Sequence, residues 1–367
     1  MNESNRRMRW LPLMSVGAVL VVAASVTACA TNVGYYAQAA GGHLRLMAQR
    51  KPIWQVLEQG DIDPDLRIRL ETLLAAREFA VGELALPKTG SYKTYVETGR
   101  RAITWNVVAA EEFSLRPHLW CFPVAGCVSY RGYFEREDAD EYAEDFRNKG
   151  FDVSVGGAIA YSTLGWFDDP VLDTMLRGSD TRYIGTLFHE MAHQRLYQPD
   201  DSDFNEAYAT FVEEAGVRLW LQSRDESARI AAYDDSLVRA ADFTRLIAQA
   251  REDLIEVYSS DVSDDEKRAG KRAAIERMRE RYEALKASSW GGYEGYDGWF
   301  RRDINNARLV AVSTYRRYLP AFAVLFRDVE EDIPAFHQAA EQISNLPADA
   351  RNERMEALLA RAAEAEA

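Results

Sequence analysis

His189-Glu190-Met191-Ala192-His193 sets two imidazoles four residues apart with a carboxylate between them. Residues four apart share one face of a helix, so both rings can offer a nitrogen to one metal ion while Glu190 points into the same cleft. Ile184, Leu187, Phe188, Met191 and Leu196 add a broad apolar face, which predicts that this helix is buried. Ser179 or Asp180 can cap its start by accepting from unpaired first-turn amides, and Pro199-Asp200-Asp201 breaks it. A second helix is predicted from about Phe204 to Leu221. The short connection lets it pack beside the first, so the chain must fold around this pair.

A catalytic zinc ion commonly takes three protein ligands and leaves a fourth position to water, whose pKa it lowers toward neutrality. His189 and His193 would supply two of them. Glu190, one residue from a ligand, points past the metal and can take the proton of an attacking water. Glu206, thirteen residues beyond His193 on an early turn of the second helix, is the candidate third ligand. Its alternative is a capping box, Asp203-x-x-Glu206, in which the carboxylate reaches back to the cap amide. Glu213, two turns along the same face, is the rival ligand, with a solvated helix carboxylate as its ordinary reading. Tyr161 and Tyr315 are candidate donors to the oxyanion of a tetrahedral intermediate, against core or groove packing as the usual role of such aromatics. His43, His118 and His337 lie outside metal-ligand spacing and are expected at polar surface or partly buried positions.

Of the 367 residues, 47% are hydrophobic and 28% charged, which suits a globular chain with a large core. A formal charge of −14 repels phosphate, and no basic stripe with interleaved aromatics occurs, so nucleic acid is excluded as a partner. Residues 1–10 are basic and polar, Leu11 to Val26 is apolar but short for a membrane span, and Val26-Thr27-Ala28-Cys29 ends the run. This pattern resembles a bacterial lipoprotein signal. The resemblance implies removal of 1–28, acyl chains on Cys29 that anchor the body to a membrane, and a tether through residue 40. It places the body in the periplasm, and Ala30 after the cysteine favours the outer membrane. In such an oxidising compartment Cys121 and Cys127 are either a small-loop disulfide or two buried free thiols.

Helical spacing of apolar residues covers His43 to Leu57 and Leu66 to Leu86. Ala102 to Val108 and Cys127 to Tyr133 read as strands, Ala139 to Arg147 as an acidic helix and Phe151 to Val155 as a strand. Gly156-Gly157 reads as a turn into a further strand, Ala158 to Thr163. Beyond the metal helices the chain reads as mainly helical, with a solvated helix from Asp264 to Lys286, a break at Ser288 to Gly292 and a peripheral, fraying helix from Asp349. The expected class is α+β, dominated by helices, with a small mixed sheet.

Asn205-Glu206-Ala207-Tyr208-Ala209 resembles the Asn-Glu-Gly-Phe-Ala segment of aminopeptidase-like zincins, whose Glu is the third zinc ligand, and this selects Glu206 over Glu213. Ser129 to Phe134, Ala160 to Pro170, the His189 motif and Asn305 to Leu309 resemble blocks of a bacterial family named as putative aminopeptidases, over about Gly34 to Phe326. The likeness implies a zinc peptidase of the gluzincin kind acting on peptides. It also implies one zincin-like domain over 41–367, with a catalytic core at about 100–222 and a helical part at 223–367. In zincins an edge strand upstream of the metal helix pairs with the substrate backbone, and Ala158 to Thr163 is the expected strand; it lacks the Glu that aminopeptidases use for the free amine. Thr210 stands where thermolysin-like enzymes orient a ligand His with an Asp. A second reading, a lipid-anchored envelope binding or assembly protein with a structural zinc site, has no need of Glu190. Oligomeric state has no signature in the chain.

Overall fold

The computed structural model describes residues 34–366 apart from 123–125, 161, 164 and 314–316. Cys29, Tyr161 and Tyr315 lie outside the described residues. The chain divides into a unit ending at Gln49 and a unit from Arg50 to Ala367. Helix α1, over 34–48, belongs to the first, so helix begins inside the stretch read as tether. The second opens with β1 (Lys51–Pro52) and α2 (Ile53–Leu57). The helix expected from His43 to Leu57 is thus interrupted at Pro52, which is extended at φ −52° and ψ 133° and has no amide to donate.

Helix α3 (Pro64–Gly82) starts with Pro64 in its first turn and the Asp63 carboxylate accepting from Asp65 and Leu66 amides. The strands follow as β2 (Thr94–Val96), β3 (Thr104–Glu111), β4 (Trp120–Phe122), β5 (Gly126–Val128) and β6 (Arg131–Tyr133). Helix α4 (Arg136–Asn148), β7 (Phe151–Ala158) and β8 (Val171–Leu172) complete this half. Strand β3 is the middle of a β6-β3-β7 sheet with both neighbours antiparallel. Strand β2 lies between β1 and β8, and β4 pairs with β5 so that Cys121 faces Cys127 across a disulfide. The single strand expected from Cys127 to Tyr133 is therefore two, in different sheets.

Gly156-Gly157 is not a turn. Both residues stay extended and pair with Asn106 and Trp105, so β7 runs unbroken to Ala158, and among the described residues of the strand expected over Ala158 to Thr163 only Ala158 is in a strand. A Cβ on Gly157 would stand 2.7 Å from Ala102 Cβ and 3.2 Å from the Trp105 ring, so glycine here makes room for Trp105 rather than for a bend.

The metal helices are α5 (Asp180–Arg195) and α6 (Ser202–Gln222), and α3 packs against both. Next come α7 (Ser227–Ser259) and α8 (Asp264–Ser288), which bury Leu246, Leu254, Met278 and Tyr282 between them and stack Tyr282 on Phe300 at 3.9 Å. The chain ends in α9 (Asp297–Phe300), α10 (Asn306–Ser313), α11 (Leu319–Asp328), α12 (Ile333–Ser344) and α13 (Ala348–Glu366). The last is no fraying appendage: Arg351, Met355, Leu358 and Ala362 fall on one face and are buried, and Arg351 Nε donates to Asp201 at 2.6 Å. The architecture is α+β and helix-dominated, as expected. No helix among the described residues is long and apolar enough to cross a membrane.

Candidate metal centre

Helix α5 is capped by Ser179, whose hydroxyl accepts from the Arg182 amide, and it buries Ile184, Leu187, Phe188 and Met191. That burial turns His189 and His193 toward α6. The α5–α6 connection is closed by Asn205, whose amide accepts from the Gln198 amide and donates to the Gln198 carbonyl, each at 2.7 Å. A side-chain amide satisfying both main-chain groups of one residue fixes the start of α6 to within a rotamer. Asp201, not Asp203, caps α6 by accepting from the Phe204 amide. The capping box is thereby ruled out and the Glu206 carboxylate is left for the histidines.

His189 Nε2 and His193 Nε2 stand 3.2 Å apart, and Glu206 Oε2 lies 3.3 Å from the first and 3.7 Å from the second. Ligand atoms about 2.0–2.1 Å from a tetrahedral ion are separated by about 3.3 Å. The triad therefore has the spacing of three corners of a tetrahedron and could hold a metal ion. His189 Nδ1 lies 3.1 Å from Glu213 Oε2, which assigns the proton to Nδ1 and the lone pair to the converging Nε2. Glu213 thus stands behind His189, outside the group of three that could hold a metal. It reaches there because residue 185 is glycine: a Cβ at Gly185 would stand 2.9 Å from Glu213 Oε1. Thr210 is buried and Glu213, three residues on, takes the orienting role left open at that position. His193 Nδ1 is buried and has no hydrogen-bond partner among the described residues.

The electrostatics follow the packing. Burial lowers the His189 pKa, but hydrogen bonds and charge from Glu206 and Glu213 outweigh it and hold the imidazole well above its ordinary value. Burial pushes the Glu206 carboxyl up, and His193 and His189 pull it far below the usual carboxylate range. Glu190 is raised by burial, drawn back by His189 and His193, and raised again by Glu206 and Asp169.

Residues 34–355 match the family described as "Putative aminopeptidase". The chain belongs to that family. Neither a curated protein nor a solved structure matches it. Membership supports a peptidase in general terms, and the triad sits inside the matched span.

Sequence reasoning passed over several groups beside the site. Asp169 is fully buried, and its carboxylate accepts from both the amide and the hydroxyl of Thr163. Tyr92 is buried at φ 61°, donates its amide to the Asp169 carbonyl at 2.7 Å, and has a phenol pushed well above its ordinary pKa by burial and by the charges of Glu190 and Asp169. Asp200 Oδ1 accepts from the Cys127 amide at 2.6 Å, tying the disulfide hairpin to the α5–α6 connection. A left-handed backbone at a tyrosine leaves no mark in composition, although the Asp168-Asp169-Pro170 cluster was visible. His337, expected at a polar surface or partly buried position, is fully buried: its Nε2 donates to the Leu84 carbonyl and its Nδ1 accepts from the Tyr208 hydroxyl at 2.7 Å. It braces α6 through Tyr208.

Proposed function

We propose that the chain is a zinc-dependent peptidase of the gluzincin kind, an aminopeptidase by its family's title, with His189, His193 and Glu206 as ligands and Glu190 as general base. The observation that carries this is the tetrahedral spacing of the three ligand atoms with Glu213 seated behind His189. Zinc, when bound there, supplies Lewis acidity toward water and toward a carbonyl oxygen. Glu190 takes a proton from the attacking water and returns it to the nitrogen of the departing amine. Glu213 keeps the His189 lone pair on Nε2 through the cycle.

Substrate backbone has a place to pair. The Ala158 carbonyl accepts from the Ile103 amide, so even-numbered residues of β7 bond inward to β3 and odd-numbered ones face the open edge. Val153 on that edge is taken, since its carbonyl accepts from Asn305 Nδ2. Val155 and Gly157 remain to orient an extended peptide. No carboxylate stands in β7 beyond Asp152, whose Oδ2 is bound to Lys271 and to the Asn306 amide, so a free amine would be anchored elsewhere.

The lipid anchor on Cys29 and a periplasmic body on the outer membrane belong to the same proposal; the Cys121–Cys127 disulfide supports an oxidising compartment. The single peptidase domain over 41–367 is part of it too. The test is the full chain in detergent with a broad peptide library. Cleavage that disappears in Glu190→Gln while bound zinc is retained is expected; a folded chain that binds no zinc, or cleavage that survives the substitution, sinks the reading.

A further inference from the structure

Trp166 and Phe167 are exposed at 70% and 54%, yet the segment carrying them is tightly held. The Asp169 carboxylate accepts from the Thr163 amide and hydroxyl, each at 2.9 Å. Thr163 in turn closes the loop: its hydroxyl oxygen accepts from the Phe167 amide at 3.0 Å and its carbonyl from the Trp166 amide at 3.1 Å. Below them Ser91 Oγ accepts from both the Asp169 amide and Gln194 Nε2, each at 3.1 Å. Gln194 follows Glu190 by four residues, so both lie on one face of α5. Gly165, at φ +83°, brings its backbone down on that face, where a Cβ would stand 3.9 Å from Gln194 Cγ. The loop is therefore clamped over the face of α5 that carries Glu190, and it continues from the end of β7 where Val155 and Gly157 face the open edge.

Rings this exposed leave most of their apolar area in water, so burial in the fold does not account for them. Held in place beside the Glu190 face of α5, they offer a ligand a large apolar area at small cost in conformational entropy. We propose that Trp166 and Phe167 form the specificity-determining surface of the site, an apolar platform for a large hydrophobic side chain of the peptide near the bond being cut. This rests on the peptidase reading of the metal centre.

Binding is measured on the full chain carrying Glu190→Gln, by calorimetry, with an alanine-based octapeptide and a set in which one Phe replaces Ala at each position in turn. One Phe position is expected to tighten binding by about tenfold or more. Adding Trp166→Ala and Phe167→Ala together should erase that gain and leave the all-Ala peptide unaffected; Trp166→Phe should keep most of it. Both side chains are exposed, so the melting temperature should not move. A gain that survives the double substitution overturns the proposal, as does a set with no preferred Phe position. Unchanged peptide binding alongside reduced partition onto phosphatidylglycerol vesicles also overturns it, in favour of a membrane contact. Turnover by the chain with Glu190 intact judges the peptidase reading separately: a lost Phe gain without any cleavage would fail that reading and retain the platform.

Discussion

The α5–α6 pair and the α7–α8 hairpin are both helix pairs, and they use charge in opposite ways. In α5–α6 the side chains of His189, His193 and Glu206 are only 12%, 8% and 18% exposed and converge on one point. In α7–α8, Arg277 and Arg281 reach for Asp253 with 46% and 40% of their side chains in water. Desolvating an ionised group costs several kcal/mol unless its partners are well placed, whereas an exposed pair costs and contributes little. The α5–α6 cluster therefore carries a burial cost that the exposed Arg277 and Arg281 pairs do not. Exposed charge on α8 serves solubility, while the largely buried Lys271 ties the helix to Asp152 at 2.5 Å.

That contrast can be broken or sharpened by substitution. The largest effect is expected from Glu190→Gln, which should lower turnover by about 10²–10⁴-fold with the fold and bound metal retained; equal loss of metal would show that Glu190 is structural. Glu213→Gln should come next, at about 10–100-fold in metal affinity or activity, because it replaces the charged acceptor behind His189 with a neutral amide. Gly185→Ala should fall in the same direction and short of Glu213→Gln, since its methyl displaces the Glu213 carboxylate without deleting it. Peptide turnover reads the first, and zinc titrations against a competing chelator rank the other two.

His337 gives a smaller effect with a defined sign. Burial lowers its pKa, its bond to Leu84 raises it and the charge of Arg195 lowers it further, and the sum is below the ordinary value. The unfolded chain then takes up the proton first, so this contribution is complete above about pH 6.5 and is lost as pH falls through the folded value. Thermal unfolding should show a shallower decline below neutrality in His337→Gln than in the parent; an identical decline contradicts the assignment. Least of all should come Arg277→Ala on α8, about 0.2–1 kcal/mol by denaturant titration and less in high salt.

The helix pair was legible in the sequence because its signals are local. Four-residue spacing, a cap at Ser179 and a break at Pro199 suffice to draw α5 and start α6, and the two helices fall within two residues of their expected spans. Strand β7 was legible only as far as Val155. Gly156-Gly157 has the composition of a turn, and only the non-local approach of Ala102 and Trp105 shows why glycine stands there in extended backbone. The bond of Glu213 to His189 was not legible for a similar reason: it depends on Gly185, twenty-eight residues earlier and one turn before His189 on another helix. The tail from Ala348 reads as polar by composition, yet Arg351, Met355, Leu358 and Ala362 make a buried stripe that closes against Asp201.

The account stands on Glu206 as the third ligand with Glu213 behind His189, and metal analysis of the purified full chain tests that directly. After dialysis against zinc-free buffer, the parent should retain stoichiometric zinc, Glu206→Gln should lose it, and Glu213→Gln should retain it more weakly. A folded parent without zinc, or a Glu206→Gln chain that keeps its zinc while Glu213→Gln loses it, would contradict the assignment.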